Sequence, residues 1–442
     1  VGLLVDLYEL TMLEAYHAER MNERAVFSLF VRTLPENRNF LLACGLDTVL
    51  AYLEELSFSR PAVDRLLQEE GFDADFGDWL ANLRFRGAVR AVPEGTPVFK
   101  NEPLLEIEAP LPEAQFVETF VMNQIHFQTV VASKAVRVKL AAQERSVADF
   151  GLRRMHGTDA GVKSVRAFAI AGIDATSNVF AGELYGVPRS GTMAHSYVQA
   201  HSTELDAFRA FVRVHPDAVL LVDTYDTAEG VRNVVRLARE LGESFRVRGI
   251  RLDSGDLEAL SRAARRILDE AGLFGVRIMA SGGLDEWRIR ALVREGAPID
   301  GFGVGTEMGV SEDAPSLDMA YKLTEYAGKG RLKLSAEKAI YPHPKQVFRM
   351  EEGSRAVRDV IARAGERLPG RPLLVNVMEG GRRLPPGRVT LDESRSRARD
   401  ELGRLPERLL AIDPADPPYP VEVSAALRAG RDLLAGLGRA GP

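Results

Sequence analysis

The sequence predicts an α/β chain in which a (β/α) barrel is joined to a β-rich α+β region. Three observations carry this. Between residues 219 and 309, strand-like runs ending in polar residues alternate with amphipathic helical runs through three successive units. Their short connections imply parallel strands joined by right-handed crossovers. The first hundred residues instead mix helices with short strands, and the chain turns strand-like again after residue 330.

Taken in order, "DLYELTMLEAYHAER" has apolar residues at helical spacing, and "RAVFSLFVR" alternates as a strand does. "LLACGLDTVLAYLEEL" and "RPAVDRLLQEEGFDADFGDWLANL" return to helical spacing. "GAVRAVPEGTPVFKNEPLLEIEAPL" reads as short strands with Pro, Gly and Asn at their turns, a compact β unit. From residue 114 the texture is α/β. The strands "VLLVDTYD" (219–226), "RVRGIRLDSGD" (246–256), "VRIMASGG" (276–283) and "IDGFGVGTEMG" (299–309) are separated by the helices "AEGVRNVVRLARELG", "LEALSRAARRILDEAG" and "LDEWRIRALVREG". An open sheet and a barrel both accommodate this rhythm. No GxGxxG follows a first strand, so a closed or nearly closed barrel fits better than a dinucleotide fold. "VTLDESRSRARDELGRLPERLLA" is a helix with a charged, solvated face. The expected divisions are an N-terminal α+β domain over 1–113, a barrel over 114–330, and return strands with a helical tail over 331–442.

Composition narrows the function classes. Apolar residues make up 45% and charged residues 27%, ordinary for a globular protein. A formal charge of -6 gives no reason to expect nucleic-acid binding. The single cysteine, Cys44, excludes an intramolecular disulfide framework and a thiolate zinc cluster, so no structural zinc is expected. There is no signal-peptide pattern and no apolar run of about 20 residues. The expected setting is cytoplasmic, without membrane contact.

In either sheet arrangement the functional groups gather at the carboxyl ends of the strands. Those ends carry Asp223 and Asp226; Arg251, Asp253 and Ser254; Ser281, Gly282 and Gly283; and Gly303, Gly305 and Thr306. Each glycine pair taken alone reads equally as a tight turn into a helix. Together they offer backbone N–H groups to a phosphate, with no Cβ in the way. Arg251 and Asp253 face one side if alternation continues. They either close the strand as a salt bridge or hold a phosphate and a ribose hydroxyl or hydrated Mg²⁺. Carboxylates beside a polyphosphate need a cation or sugar hydroxyls between them, which points to a magnesium pyrophosphate substrate. In "ADFGLRRMHGTDAG", Phe150 offers a flat face to a planar ring or packs in the core, beside Arg153 and Arg154. Arg154 reads as solvated and His156 as a lone loop histidine. "GTMAHSYVQAHS" brings His195 and His201 together, with Thr192 and Ser196 able to orient phosphate or imidazole.

"DLYELTM", "DFGLRR", "GIDATSNVFAG", "GTMAHS", "VDTYD" and "RLDSGD", in that order from residue 6 to about 310, resemble the nicotinate phosphoribosyltransferase family. The resemblance implies an incomplete (β/α) barrel joined to a β-rich domain built from the N-terminal region and part of the C-terminal region. It implies a homodimer with active sites shared between subunits. Phe150 would stack on one face of the pyridine ring and Tyr8, from the partner subunit, would cover the other. Asp174 would lie near the ring. Arg153 and Arg251 would bind phosphoribosyl pyrophosphate, with Asp253 near ribose and magnesium, and the turns at 282–283 and 303–306 would cradle the 5'-phosphate. His195 would be phosphorylated by ATP, while His201 belongs to the following helix. The implied metal set is Asp223, Asp226 and Asp253 with Mg²⁺.

The reaction implied is nicotinate, phosphoribosyl pyrophosphate, ATP and water going to nicotinate mononucleotide, pyrophosphate, ADP and phosphate, a step of NAD biosynthesis. A nicotinamide-specific enzyme shares much of this site. A quinolinate enzyme would need further cations and a shorter chain. A non-catalytic metabolite-binding barrel would not need Arg251, Asp253 and His195 together.

Overall fold

The computed structural model of the chain describes residues 2–333 and 340–439. The chain divides into two compact units, one made of residues up to Ser133 with those from Ser316 onward, the other of Lys134–Pro315.

The first unit is built on a seven-stranded antiparallel sheet. Its order is Lys329–Gly330, Met319–Tyr326, Arg24–Val31, Pro103–Pro110, Ala88–Ala91, Val375–Glu379 and Arg382–Arg383. Chain-distant strands meet here: Phe27 pairs with Leu323, and Arg90 with Asn376. Arg24–Val31 was expected to alternate, yet every residue after Arg24 is buried. It is a central strand covered on both faces, where alternation gives no advantage. A four-stranded sheet (Arg371–Pro372, Lys345–Glu352, Arg355–Arg363, Val421–Val423) holds the fully buried Arg349, paired with Asp359 at 2.7 Å. The helix read from "VTLDESRSRARDELGRLPERLLA" runs over Leu391–Arg404 with a Thr390–Glu393 capping box and stops before Pro406, which cannot continue it.

The second unit is a six-stranded parallel sheet in the order Ala175–Thr176, Ser146–Asp149, Gly301–Val304, Arg277–Ala280, Gly249–Leu252, Val219–Leu221. The closed or nearly closed barrel expected from strand rhythm is not formed. The sheet ends at Ala175–Thr176 and Val219–Leu221: the 177–218 segment between them folds into helices and turns and adds only an isolated parallel bridge from Arg189 to Thr176. The barrel is incomplete. The helices Thr227–Leu241, Leu257–Glu270 and Glu286–Arg294 follow three of the strands. Each begins with an aspartate side chain, from Asp226, Asp256 or Asp285, accepting a first-turn N–H. Such caps satisfy donors that the helix cannot and favour its positive end. The first of these helices packs Val231, Val234, Val235 and Leu237 inward at helical spacing.

Among the described residues, no helix is long and apolar enough to cross a membrane.

Candidate active site

Register decides which side chains share a face. Leu221, Arg251, Met279, Gly301 and Ser146 are lateral neighbours across the parallel strands, so their side chains project from one side. Two residues further along, at the carboxyl ends, come Asp223, Asp253, Ser281 and Gly303 on that same side. Hydrogen bonds knit this row together. Asp223 Oδ2 accepts from the Asp253 N–H at 2.9 Å and from Ser254 Oγ at 2.7 Å. Ser281 Oγ donates to Asp253 Oδ1.

Arg251 reaches out of the row to the segment before His195, donating from Nη2 to the Met193 carbonyl at 3.0 Å. Burial works against its charge, Asp253 and Asp223 support it, and Arg153 adds repulsion. Arg153 itself is exposed on the short turn Leu152–Arg154. Two cations whose fields meet beside two carboxylates form a site able to receive a polyanion and its counter-cation.

His195 opens the helix His195–Gln199. Its Nδ1 lies 3.2 Å from Thr224 Oγ1 and its Nε2 3.7 Å from Asp253 Oδ2. The imidazole is therefore held at the strand-end row while staying partly exposed. Thr192 is half-buried, with its hydroxyl donating to the Met193 carbonyl at 3.3 Å; Ser196 is exposed. His201 was expected within the following helix but lies in the turn before Glu204–Val214, because His195–Gln199 ends first. It lines a separate groove of about 670 Å³ with Arg209, Arg213 and Glu240.

The glycine turns are shaped by close approach. Gly282 has φ +93°, and a Cβ there would strike the Asp253 carbonyl oxygen. Gly283, also at positive φ, accepts from Arg288 Nη1 at 2.7 Å. A Cβ on Gly303 would run into the Phe150 ring, so the absent side chain is what lets that ring lie over the sheet. Gly305 leads into the turn Thr306–Gly309 and passes close to the Phe150 carbonyl.

Asp174 and Asp226 stand apart from this row. Asp174 precedes its strand: its backbone N–H bonds the Val147 carbonyl, and its carboxylate takes the Val147 N–H and Lys139 Nζ, each at 2.9 Å. That sets it toward the amino end of the sheet, as a brace rather than beside Phe150. Asp226 caps its helix through the Glu229 N–H at 2.8 Å. Tyr8 belongs to the first unit, on the helix Leu7–Ala18, and is half exposed. Arg154 and His156 are exposed.

Two residues at these strand ends escape a reading of the sequence: Thr224, hidden inside "VDTYD", and Asp149, which is only 1% exposed. Nothing in their local spacing signals partners 29 and 27 residues away.

Whether the row suits a divalent cation and a phosphate can be judged from its orphaned atoms. Asp223 Oδ1 and Arg251 Nε are both buried without a hydrogen-bond partner among the described residues. An unpaired carboxylate oxygen fits a hard cation and an unpaired guanidinium N–H fits an anion. Among the described residues no group of three His, Cys, Asp or Glu side chains converges as a ready-made metal cage. That suits Mg²⁺ carried by substrate phosphates, which needs only one or two protein carboxylates.

Comparison with known proteins finds relatives along most of the chain. Residues 3–126 match the family model of the nicotinate phosphoribosyltransferase N-terminal domain, and residues 145–338 that of the nicotinate phosphoribosyltransferase family. The chain is 52% identical over 423 residues to nicotinate phosphoribosyltransferase pncB2 of Mycobacterium tuberculosis, covering 96% of this chain and 91% of that one. It is 41% identical to nicotinate phosphoribosyltransferase of Bacillus subtilis, covering 79% and 73% of the two chains. The crystal structure of human nicotinic acid phosphoribosyltransferase superposes with a TM-score of 0.87 at 29% identity, covering 98% of this chain and 100% of that one. Strand-end chemistry, fold and sequence relationship converge: the chain belongs to the nicotinate phosphoribosyltransferase family.

Proposed function

We propose that the chain joins nicotinate to phosphoribosyl pyrophosphate, in NAD biosynthesis, and couples this to ATP cleavage through His195. The observation that carries the reading is the row Asp223, Asp253, Ser281 and Gly303, with Arg251 beneath it and His195 beside it. The pyridine nitrogen forms a bond to C1 of the ribose as the C1–O bond to pyrophosphate breaks. That nitrogen is already a free nucleophile, so no strong general base is required. The barrier falls through orientation and neutralisation of the leaving group.

Each residue then has a task. Phe150 offers its ring to the pyridine. Arg251 and Arg153 meet the pyrophosphate, and Asp253, with Ser254 close by, faces the ribose. The turns at Gly282–Gly283 and Gly303, Gly305 and Thr306 supply backbone N–H groups for the 5'-phosphate. Asp223 and Asp253 are the carboxylates that would hold Mg²⁺, which, when bound, would neutralise pyrophosphate charge; Asp226 serves its helix cap.

In the ATP half-reaction a ring nitrogen of His195 bonds to the γ-phosphorus as the P–O bond to ADP breaks. Water later hydrolyses the phosphohistidine, releasing phosphate. Imidazole suits the task, being neutral and nucleophilic near pH 7. Incubation with γ-labelled ATP should leave an acid-labile, base-stable label on wild type and His201→Ala but not on His195→Ala. His195→Ala should keep slow ATP-independent transfer. Label persisting in His195→Ala, or lost only in His201→Ala, would show that His195 is not the acceptor.

The active assembly we propose is a homodimer with Tyr8 supplied in trans. It is supported by Leu3, Leu4, Leu7 and Tyr8, and by Val179, Phe180 and Leu184, all large apolar side chains left exposed.

A further inference from the structure

Asp149 is a buried carboxylate for which the reaction as derived has no use. It ends the strand Ser146–Asp149 immediately before Phe150, and register turns its side chain away from the row that carries Arg251 and Asp253. Val304, Asp149 and Thr176 are lateral neighbours on that opposite side. Burial pushes the Asp149 carboxyl above its usual range, against the pull of the Thr176 hydroxyl and the Gly151 N–H. A carboxylate in such a place is destabilising unless its hydrogen bonds are well made.

Those bonds run in two directions. Oδ1 accepts from the Gly151 N–H at 2.8 Å, closing the turn that contains Phe150 and leads to Arg153. Oδ2 accepts from the Thr176 hydroxyl at 2.7 Å, on the neighbouring edge strand. The Thr176 oxygen in turn accepts the Asn178 N–H at 3.0 Å, and Asn178 caps the next helix through the Ala181 N–H at 3.1 Å. The Asp149 carbonyl also accepts the Ser177 N–H at 2.8 Å. One residue thus fixes both the turn after its own strand and the turn after the adjacent one. The edge strand Ala175–Thr176 has only two residues, so its ladder alone holds the second turn weakly.

We infer that Asp149 is a positioning residue for the pyridine subsite, acting from the rear of the sheet by locking the Phe150–Arg153 turn to the Thr176–Asn178 turn. It touches no substrate. The inference rests on the reading above, in which Phe150 stacks on nicotinate. The geometry of that stack depends on where the two turns lie relative to each other, and Asp149 is the side chain that ties them.

The test compares Thr176→Val, Asp149→Ala and Asp149→Asn, each alone and combined with Phe150→Ala. Thr176→Val keeps shape and volume, removes the hydroxyl and is the variant best placed to fold. Thr176→Val and Asp149→Ala should raise KM for nicotinate about tenfold or more, since ångström-scale misplacement is costly to a bound reactant. Phosphate incorporation from ATP should stay within about twofold, because His195 is held by Thr224 and Asp253, outside the two turns. KM for phosphoribosyl pyrophosphate should rise clearly less than KM for nicotinate, because Arg153 shares the turn but Arg251 is held through Met193. Asp149→Asn should recover most of the loss: its amide oxygen still accepts from Gly151 and its NH₂ can donate to the Thr176 oxygen. In the Phe150→Ala background, Thr176→Val should raise nicotinate KM little further, because the ring it positions has gone. A nicotinate KM that does not change in folded Thr176→Val, that rises in step with the other KM, or that is fully additive with Phe150→Ala would overturn the inference. Wild type unable to use nicotinate at all would instead overturn the reading of the reaction, and the inference with it.

Discussion

Arg251 carries its charge where burial opposes it, held by Asp253 and Asp223 and with one N–H unpaired. Such an arrangement is tolerable when an anion completes it. Arg251→Ala should therefore lower kcat/KM for phosphoribosyl pyrophosphate by about 100-fold or more, the scale lost when one preorganised charge contact is removed. Arg251→Lys should recover only part, since one ammonium cannot hold the Met193 carbonyl and a phosphate as a planar fork does. A KM and kcat within about threefold of wild type in a folded Arg251→Ala would remove Arg251 from the site. Arg251 and Asp253 were legible as neighbours because both lie in a short motif at a strand end, whereas His195, which opens a helix, was marked only by the "GTMAHS" run. Asp174 was misjudged in place for a physical reason. It borders the "ATSN" turn in sequence, but it precedes a two-residue strand and so falls toward the opposite end of the sheet.

At the scale of elements, hydrophobic spacing reported the helices Thr227–Leu241, Leu257–Glu270 and Glu286–Arg294, each of which buries one stripe, but not Thr158–Ile170 or Glu204–Val214 of the same unit. It gave no warning of the 25-residue helix Glu118–Ala142. Gln128, Thr129, Ser133, Lys134 and Arg137 of that helix are all buried, so apolar periodicity is blurred. Their partners are distant: Lys134 and Arg137 pair with Glu286 at 2.5 and 2.8 Å. The helix Leu7–Ala18 offers a test by pH. Burial pushes the Glu9 carboxyl from 4.5 to about 7, opposed by hydrogen bonds with Tyr8 and Gln115 and supported by Glu118 and Asp6. Between those values the folded chain binds more protons than the unfolded one. Glu9's stabilising contribution is therefore complete below 4.5 and is lost as pH rises through 7. Glu9→Gln should match wild-type stability near pH 5 and exceed it near pH 8 by on the order of 2 to 3 kcal/mol in urea unfolding. Parallel stability-against-pH curves for the two proteins would refute the assignment.

Over the whole molecule, strand rhythm led to parallel strands and short connections but not to where the sheet stops. Closure depends on residues 177–218 forming another strand, and their helices and turns do not. The exposed Leu7 and Tyr8 lie in the "DLYELTM" run on which the family resemblance rests, and Leu3 and Leu4, just before it, are exposed with them. With Tyr8 acting in trans, mixed dimers of Tyr8→Ala and Asp253→Ala chains should regain activity that neither homodimer has, since one of their two sites is intact. No recovery, with subunit exchange demonstrated, would contradict a shared site.

A strand-end site that transfers phosphoribose to nicotinate releases pyrophosphate as it does so. The most direct measurement is pyrophosphate release with phosphoribosyl pyrophosphate, Mg²⁺ and ATP, run in parallel with nicotinate and with nicotinamide. The family relationship, with Arg153 and Arg154 following Phe150 in sequence, predicts nicotinate mononucleotide as product. It also predicts kcat/KM for the acid at least about tenfold above the amide, the scale of one charged contact. Equal values, a preference for nicotinamide, or no pyrophosphate release with either substrate would contradict this reading of the site.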